Sequence, residues 1–184
     1  MNYAEIKTYD IANGPGVRVS LFVSGCTHHC KNCFNEIAWD FNYGKPFDQQ
    51  VIDTLLEAVA PVHYQGMTIL GGEPMEPANQ RGILPLVKTF KEKYPDKNLW
   101  IYTGYLFEDL VSESRARCEV TDELLSYVDV LVDGKFVEEL KDITLRFKGS
   151  SNQRIIDIPA TLKSKELVLS PYNHKREGIE NELH

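Results

Sequence analysis

Four short apolar runs, at residues 17–23, 66–70, 99–102 and 128–132, each break off into a glycine-rich or polar cluster. Between them lie stretches with helical spacing. Ile52, Leu55, Leu56 and Val59 recur behind Asp48, a suitable N-cap, and predict a helix to about residue 60. A second helix is predicted over about 80–94, with Ile83, Val87, Phe90 and Tyr94 on one face and Pro85 acceptable only near a first turn. Shorter helical segments are expected over 107–114 and 122–127. Nearly continuous apolar strands alternating with helices signify βα units and a parallel sheet. A full eight-fold barrel takes about 250 residues, with about 200 as a lower bound, and this chain has 184. An open, partial βα barrel is therefore the expected α/β fold. Ligands of such folds gather at the C-terminal edge of the strands, where the polar clusters fall.

Composition narrows the function. A formal net charge of -7 and a pI near 5.3 disfavour nucleic acid, because phosphate binding requires a basic surface. No apolar run approaches the roughly 20 residues of a membrane span. The N-terminal residues lack the basic and apolar regions of a signal peptide, so the expected location is the cytoplasm, with no membrane partner.

Of the four cysteines, Cys26, Cys30 and Cys33 fall within eight residues and Cys118 stands alone. A secreted disulfide framework would spread its cysteines; a tight cluster in a reducing compartment binds metal or does redox work. The CxxxCxxC loop directly follows the first apolar run. Three thiolates can each hold one iron of a cubane and leave the fourth iron open. A zinc site, with His28, His29 or a distant residue as fourth ligand, is the bland alternative. His28 and His29 sit between two of the cysteines, where the short loop makes them poor co-ligands. An electron carrier would require a fourth ligand, and Cys118 reads better as a small packed residue.

After the second apolar run comes Gly71-Gly72-Glu73-Pro74. Glycines there admit a ligand close to the backbone, and carbonyls with the Glu73 carboxylate can accept hydrogen bonds from an ammonium group. A tetrapeptide of this kind is equally well a simple turn; its placement one βα unit beyond the cysteines makes it specific.

Together, CxxxCxxC and a downstream GGE resemble the radical S-adenosylmethionine superfamily. Asn13-Gly14-Pro15-Gly16-Val17-Arg18 is similar to the segment of glycyl-radical-enzyme activases that precedes their cluster strand. Residues 21–34 (LFVSGCTHHCKNCF), 39–42, 100–105, 130–136 and 149–153 resemble the anaerobic ribonucleoside-triphosphate reductase activating proteins. The likeness covers about residues 1–155, which implies a core domain there and a C-terminal extension, 156–184, expected to be mobile or partner-dependent. Asn32 stands where the superfamily often has an aromatic residue, and Phe34 follows the last cysteine instead.

The resemblance implies a 4Fe–4S cluster on Cys26, Cys30 and Cys33, whose open iron chelates S-adenosylmethionine. Reduction by flavodoxin or a similar low-potential donor would cleave the cofactor to methionine and a 5′-deoxyadenosyl radical. That radical would take a hydrogen from a glycine of the partner, the glycyl radical subunit of the anaerobic ribonucleoside-triphosphate reductase. Asn32, Cys33 and Phe34 would lie against the adenine. Gly72 and Glu73 would meet the methionine end, and Thr103, Tyr105 and Asp133 would reach the ribose or carboxylate. No general acid or base is implied. An activase of a formate-lyase-type enzyme, and a non-catalytic zinc or iron–sulfur scaffold, are the alternatives.

Overall fold

The computed structural model describes residues 1–33 and 35–174. Seven strands form one mixed sheet: β1 (Asn2–Asp10), β2 (Val17–Val23), β3 (Lys45–Pro46), β4 (Tyr64–Gly71), β5 (Asn98–Tyr102), β6 (Val130–Asp133) and β7 (Arg154–Asp157), in the spatial order β3-β1-β2-β4-β5-β6-β7. The four apolar runs become β2, β4, β5 and β6, which pair in parallel. Their flanks are reversed: β1 is antiparallel to β2 and to β3, and β7 is antiparallel to β6. The chain is thus α/β with a parallel centre and antiparallel margins.

Side chains alternate across the strands. One face presents Val19, Leu21, Val23, Met67, Ile69, Leu99, Ile101, Leu131 and Ile156 to the helices. Helix α1 (Gln49–Val59) meets it with Ile52, Leu55, Leu56 and Val59, and its first turn is fixed by Asp48, whose carboxylate accepts from the Val51 amide at 3.0 Å. Burial of each such side chain contributes about 1.5–3 kcal/mol. Helix α2 (Pro77–Lys93) adds Ile83, Leu86, Val87 and Phe90. It begins three residues before the expected start, with Pro77 in the first turn, and carries Pro85 in its interior. There the missing amide removes the bond to the Arg81 carbonyl. Burial of Leu86 and Val87 just beyond it holds the helix together across the gap. Helices α3 (Phe107–Val111) and α4 (Thr121–Tyr127) complete this layer before β6.

The opposite face is smaller and aromatic: Trp100, Val132 and Ile155, with Tyr102, Val130, Phe147 and Tyr172. Arg18 lies fully buried on it. Its guanidinium donates to Thr68 Oγ1 at 2.7 Å and to the carbonyls of Met67 and Asn98 at 2.8 and 3.2 Å, and sits 5.6 Å from the Trp100 ring centre. Burial lowers its pKa to about 10.

Strand β1 was not expected; its mixed, largely polar sequence carries little apolar signal. The residues after 153 continue the sheet as β7 and helix α5 (Ile158–Ser164), so the anticipated 155/156 boundary falls inside a strand. Tyr172 then returns to pack on Trp100 and Phe147, and Asn173 Oδ1 accepts from the Ile155 amide at 2.9 Å. The remainder of the extension, 175–184, lies outside the described residues.

Candidate functional site

The cysteine loop leaves β2 at Val23 and is tied down at its root. Gly25 and Cys26 amides donate to the carbonyls of Ala38 and Trp39 at 2.8 and 3.1 Å, while Gly72 and Glu73 amides donate to the carbonyls of Val23 and Gly25, each at 2.8 Å. Asn79, buried at the start of α2, donates from Nδ2 to the carbonyls of Ser24 and Glu73 at 3.0 and 2.9 Å. The C-terminal ends of β2 and β4 are therefore knitted together directly beneath the loop.

Above this knot the three thiols share one pocket of about 150 Å³ with His28, Trp39, Gly72, Glu73, Thr103 and Lys135, at the C-terminal edge of the parallel strands. Gly72 is required by close approach: a Cβ there would lie 2.6 Å from the Gly25 carbonyl oxygen and 2.9 Å from that of Ala38. Gly71 before it has φ +112°, a conformation that glycine alone adopts without strain.

Glu73 is buried, and protein groups engage both its oxygens. Oε1 accepts from the Met75 amide at 2.8 Å and from Thr103 Oγ1 at 2.7 Å. Oε2 accepts from the Gly104 amide at 2.7 Å and lies 2.8 Å from His28 Nε2. Thr103 thus stands at the pocket through the carboxylate. Tyr105 turns its hydroxyl to Glu76 at 3.2 Å and packs its ring on His28. Asp133 is buried away from the pocket lining; it accepts from the Phe107 amide at 2.8 Å and pairs with Arg154. Asn32 is exposed in a left-handed turn with φ 56°. Of the candidate residues, then, the pocket gathers Cys26, Cys30, Cys33, Gly72, Glu73 and Thr103. Asn32, Tyr105 and Asp133 are not among its lining, and Phe34 lies outside the described residues. Cys118 is half-buried elsewhere, its sulfur 3.6 Å from Gln80 Oε1.

Thr27, Glu76 and Asn79 were missed in the sequence, and His28, weighed there only as a poor zinc ligand, turns instead to Glu73. The GGEPME run does carry a second carboxylate three residues after the first, the signal that could have raised Glu76.

Burial pushes the Cys26 thiol up to about 11, and burial also raises Cys30, opposed by the Lys135 ammonium. The residues fit an iron–sulfur cluster in three respects. The donors are three thiols on one loop; a glycine pair keeps the pocket wall low; and His28 Nδ1 and Trp39 Nε1 are buried at the pocket with no hydrogen-bond partner among the described residues. Among those residues no three His, Cys, Asp or Glu side chains converge to hold a single ion. A cubane asks for something else, thiolates on separate irons.

Comparison with known proteins agrees with this chemistry. The family described as a 4Fe-4S single cluster domain matches residues 12–156, which makes the chain an iron–sulfur protein of the single-cluster kind. An anaerobic ribonucleoside-triphosphate reductase-activating protein of Haemophilus influenzae is 43% identical over 159 residues, 84% of this chain and 97% of the relative. Proteins of the same name from Pasteurella multocida and Vibrio cholerae are 42% and 41% identical over 157 residues each, 84% of this chain and 96% and 97% of theirs. The chain belongs to the family of anaerobic ribonucleoside-triphosphate reductase-activating proteins.

Proposed function

We propose that this chain is a radical S-adenosylmethionine activase that installs a glycyl radical on an anaerobic ribonucleoside-triphosphate reductase. The observation that carries the reading is the joining of Cys26, Cys30 and Cys33 with the Gly72–Glu73 turn in one pocket at the C-terminal edge of four parallel strands. When bound, the 4Fe–4S cluster and S-adenosylmethionine supply a one-electron cleavage that yields the 5′-deoxyadenosyl radical.

The protein's own part is to bind, orient and exclude water. Cys26, Cys30 and Cys33 would hold the cluster, which would bind and cleave the cofactor at an iron that no cysteine occupies. The low wall at Gly72 would admit the methionine end, while both Glu73 oxygens are engaged by Met75, Thr103, Gly104 and His28. Cys33, and Asn32 beside it in the left-handed turn, would lie on the adenine side. Thr103 acts at the site through Glu73, and Tyr105 and Asp133 through the loops they fix. The parallel strands with helices on one face and the Arg18–Trp100 face on the other are read as the open βα barrel of this superfamily. Flavodoxin or a similar low-potential carrier is the electron donor. Among the described residues no helix is long and apolar enough to cross a membrane.

The test is anaerobic reconstitution with iron and sulfide, then reduction and electron paramagnetic resonance with and without S-adenosylmethionine. A reduced four-iron signal that changes shape with the cofactor supports the reading. Uptake of zinc alone, or a signal indifferent to the cofactor, rejects it.

A further inference from the structure

The Cys26–Cys30 arch has no secondary structure of its own, and two non-glycine residues in and beside it, His29 at φ 49° and Asn32 at φ 56°, adopt the left-handed conformation. Each such residue costs about 1–2 kcal/mol and persists where surrounding contacts over-determine it. His29 stacks on Trp39, and the residues just before it are held from the turn after β4. Glu73 grips His28 by Nε2 at 2.8 Å. Glu76, itself buried, takes Thr27 twice on Oε1, from the backbone amide at 3.1 Å and from the hydroxyl in a short hydrogen bond, and takes the Tyr105 hydroxyl on the same oxygen.

Glu76 occupies the N-cap of the 17-residue helix α2, yet its side chain caps no amide of that helix. The carboxylate is turned back across the loop instead. Thr27 and His28 are the two residues directly after Cys26, so each carboxylate holds one residue of the arch.

We propose that Glu76 is a positioning residue for the cluster: with Glu73 it forms a two-carboxylate clasp that fixes the Cys26–Cys30 arch in its ligating shape before iron arrives. This inference rests on the assignment of the three cysteines as iron ligands. The clasp sets the rate at which the arch opens and surrenders its cluster, and its contribution belongs to the Thr27 hydroxyl and the Glu76 carboxylate as a unit.

The experiment compares reconstituted wild type with Glu76→Ala, Thr27→Val, Thr27→Ser and the Thr27→Val/Glu76→Ala double variant. The readout is the rate at which cluster absorbance is lost to an iron chelator, with the unfolding midpoint of each iron-free protein alongside. Loss of an outer partner costs about 10–100-fold in metal retention at such sites. The expected result is about tenfold faster loss in Thr27→Val and Glu76→Ala, a double variant no faster than the faster single, and a wild-type rate in Thr27→Ser. Thr27 is exposed, so the Val and Ser variants decide the matter even if Glu76→Ala fails to fold. Unchanged loss in Thr27→Val, equal loss in Thr27→Val and Thr27→Ser, or effects that multiply in the double variant would overturn the clasp alone. A wild type that takes no four-iron cluster would overturn the ligand assignment and the clasp with it.

Discussion

Arg154 holds Asp133 as a cross-strand pair, with Nε 2.9 Å from Oδ1 and Nη2 2.5 Å from Oδ2, on the antiparallel rung where β7 meets β6. Asp133 is fully buried, while Arg154 is 28% exposed and also reaches Glu108. Removal of the cation would leave a buried carboxylate with the Phe107 amide as its remaining partner among the described residues. Breaking such a pair costs about 3–5 kcal/mol when both members are buried, and solvent at Arg154 reduces that. Arg154→Ala is expected to lower stability by about 2–3 kcal/mol in urea unfolding. Asp133→Asn in the Arg154→Ala background should recover part of the loss, because the uncompensated charge goes. A loss below about 0.5 kcal/mol, the range of ordinary surface changes, would mean the pair is not structurally coupled.

Cys30→Ala should abolish the four-iron chromophore and cofactor cleavage and leave the far-ultraviolet circular dichroism of the iron-free protein unchanged. Cys30 is only partly buried and lies outside the strands and helices, so the fold has little to lose. Cys118→Ala, remote from the pocket, should keep the wild-type iron content.

Gly72→Ala places a methyl group between two backbone carbonyls, neither of which is the end of a flexible chain. Overpacking of this kind costs about 1–3 kcal/mol. The displaced backbone is the stretch that ties β4 to the cysteine loop, so iron content after reconstitution should fall together with the unfolding midpoint. Full iron loading at an unchanged midpoint would show that the turn has slack.

The Cys26 thiol gives a pH dependence whose sign is fixed. Burial raises its pKa from 9.0 to about 11 in the folded, iron-free protein. The unfolded chain therefore releases this proton first, and the folded state is favoured less and less as pH rises through that window. The stability of the iron-free wild type should fall from about pH 9 to about pH 11 more steeply than that of Cys26→Ser, which has no thiol to ionise. Parallel curves for the two proteins, followed by thermal unfolding, would place the thiol in a more solvated setting.

Much of the frame was legible in the sequence because its signals are local. Asp48 caps α1 three residues from the amide it serves, and the runs that became β2, β4, β5 and β6 announce burial by their own apolarity. The three-cysteine loop and the Gly71–Gly72 turn are likewise written in adjacent letters. What stayed hidden depends on distant partners. Strand β1 earns its place mainly by pairing with β2 and β3, with Tyr3 and Ile6 its few apolar contacts to the core. Thr27 finds Glu76 across 49 residues and His28 finds Glu73 across 45, separations that no spacing rule connects. Asp133 and Tyr105 sit at strand ends as anticipated, yet their side chains serve Arg154 and Glu76; a sequence shows that a polar group stands at an edge, not which neighbour claims it.

The anchors of the cysteine arch, from Ser24 through Glu73, Glu76 and Asn79 to Thr103 and Tyr105, all fall in the first 105 residues. Synthesis proceeds from the N-terminus, and structure forms as the chain emerges. These anchors are therefore already made while β6, β7 and the Phe147–Tyr172 packing have still to leave the ribosome. Lys135 and Phe136 arrive later to finish the pocket wall. The order of translation leaves an interval in which the carboxylates that hold Thr27 and His28 are present but the wall beside Cys30 is unfinished.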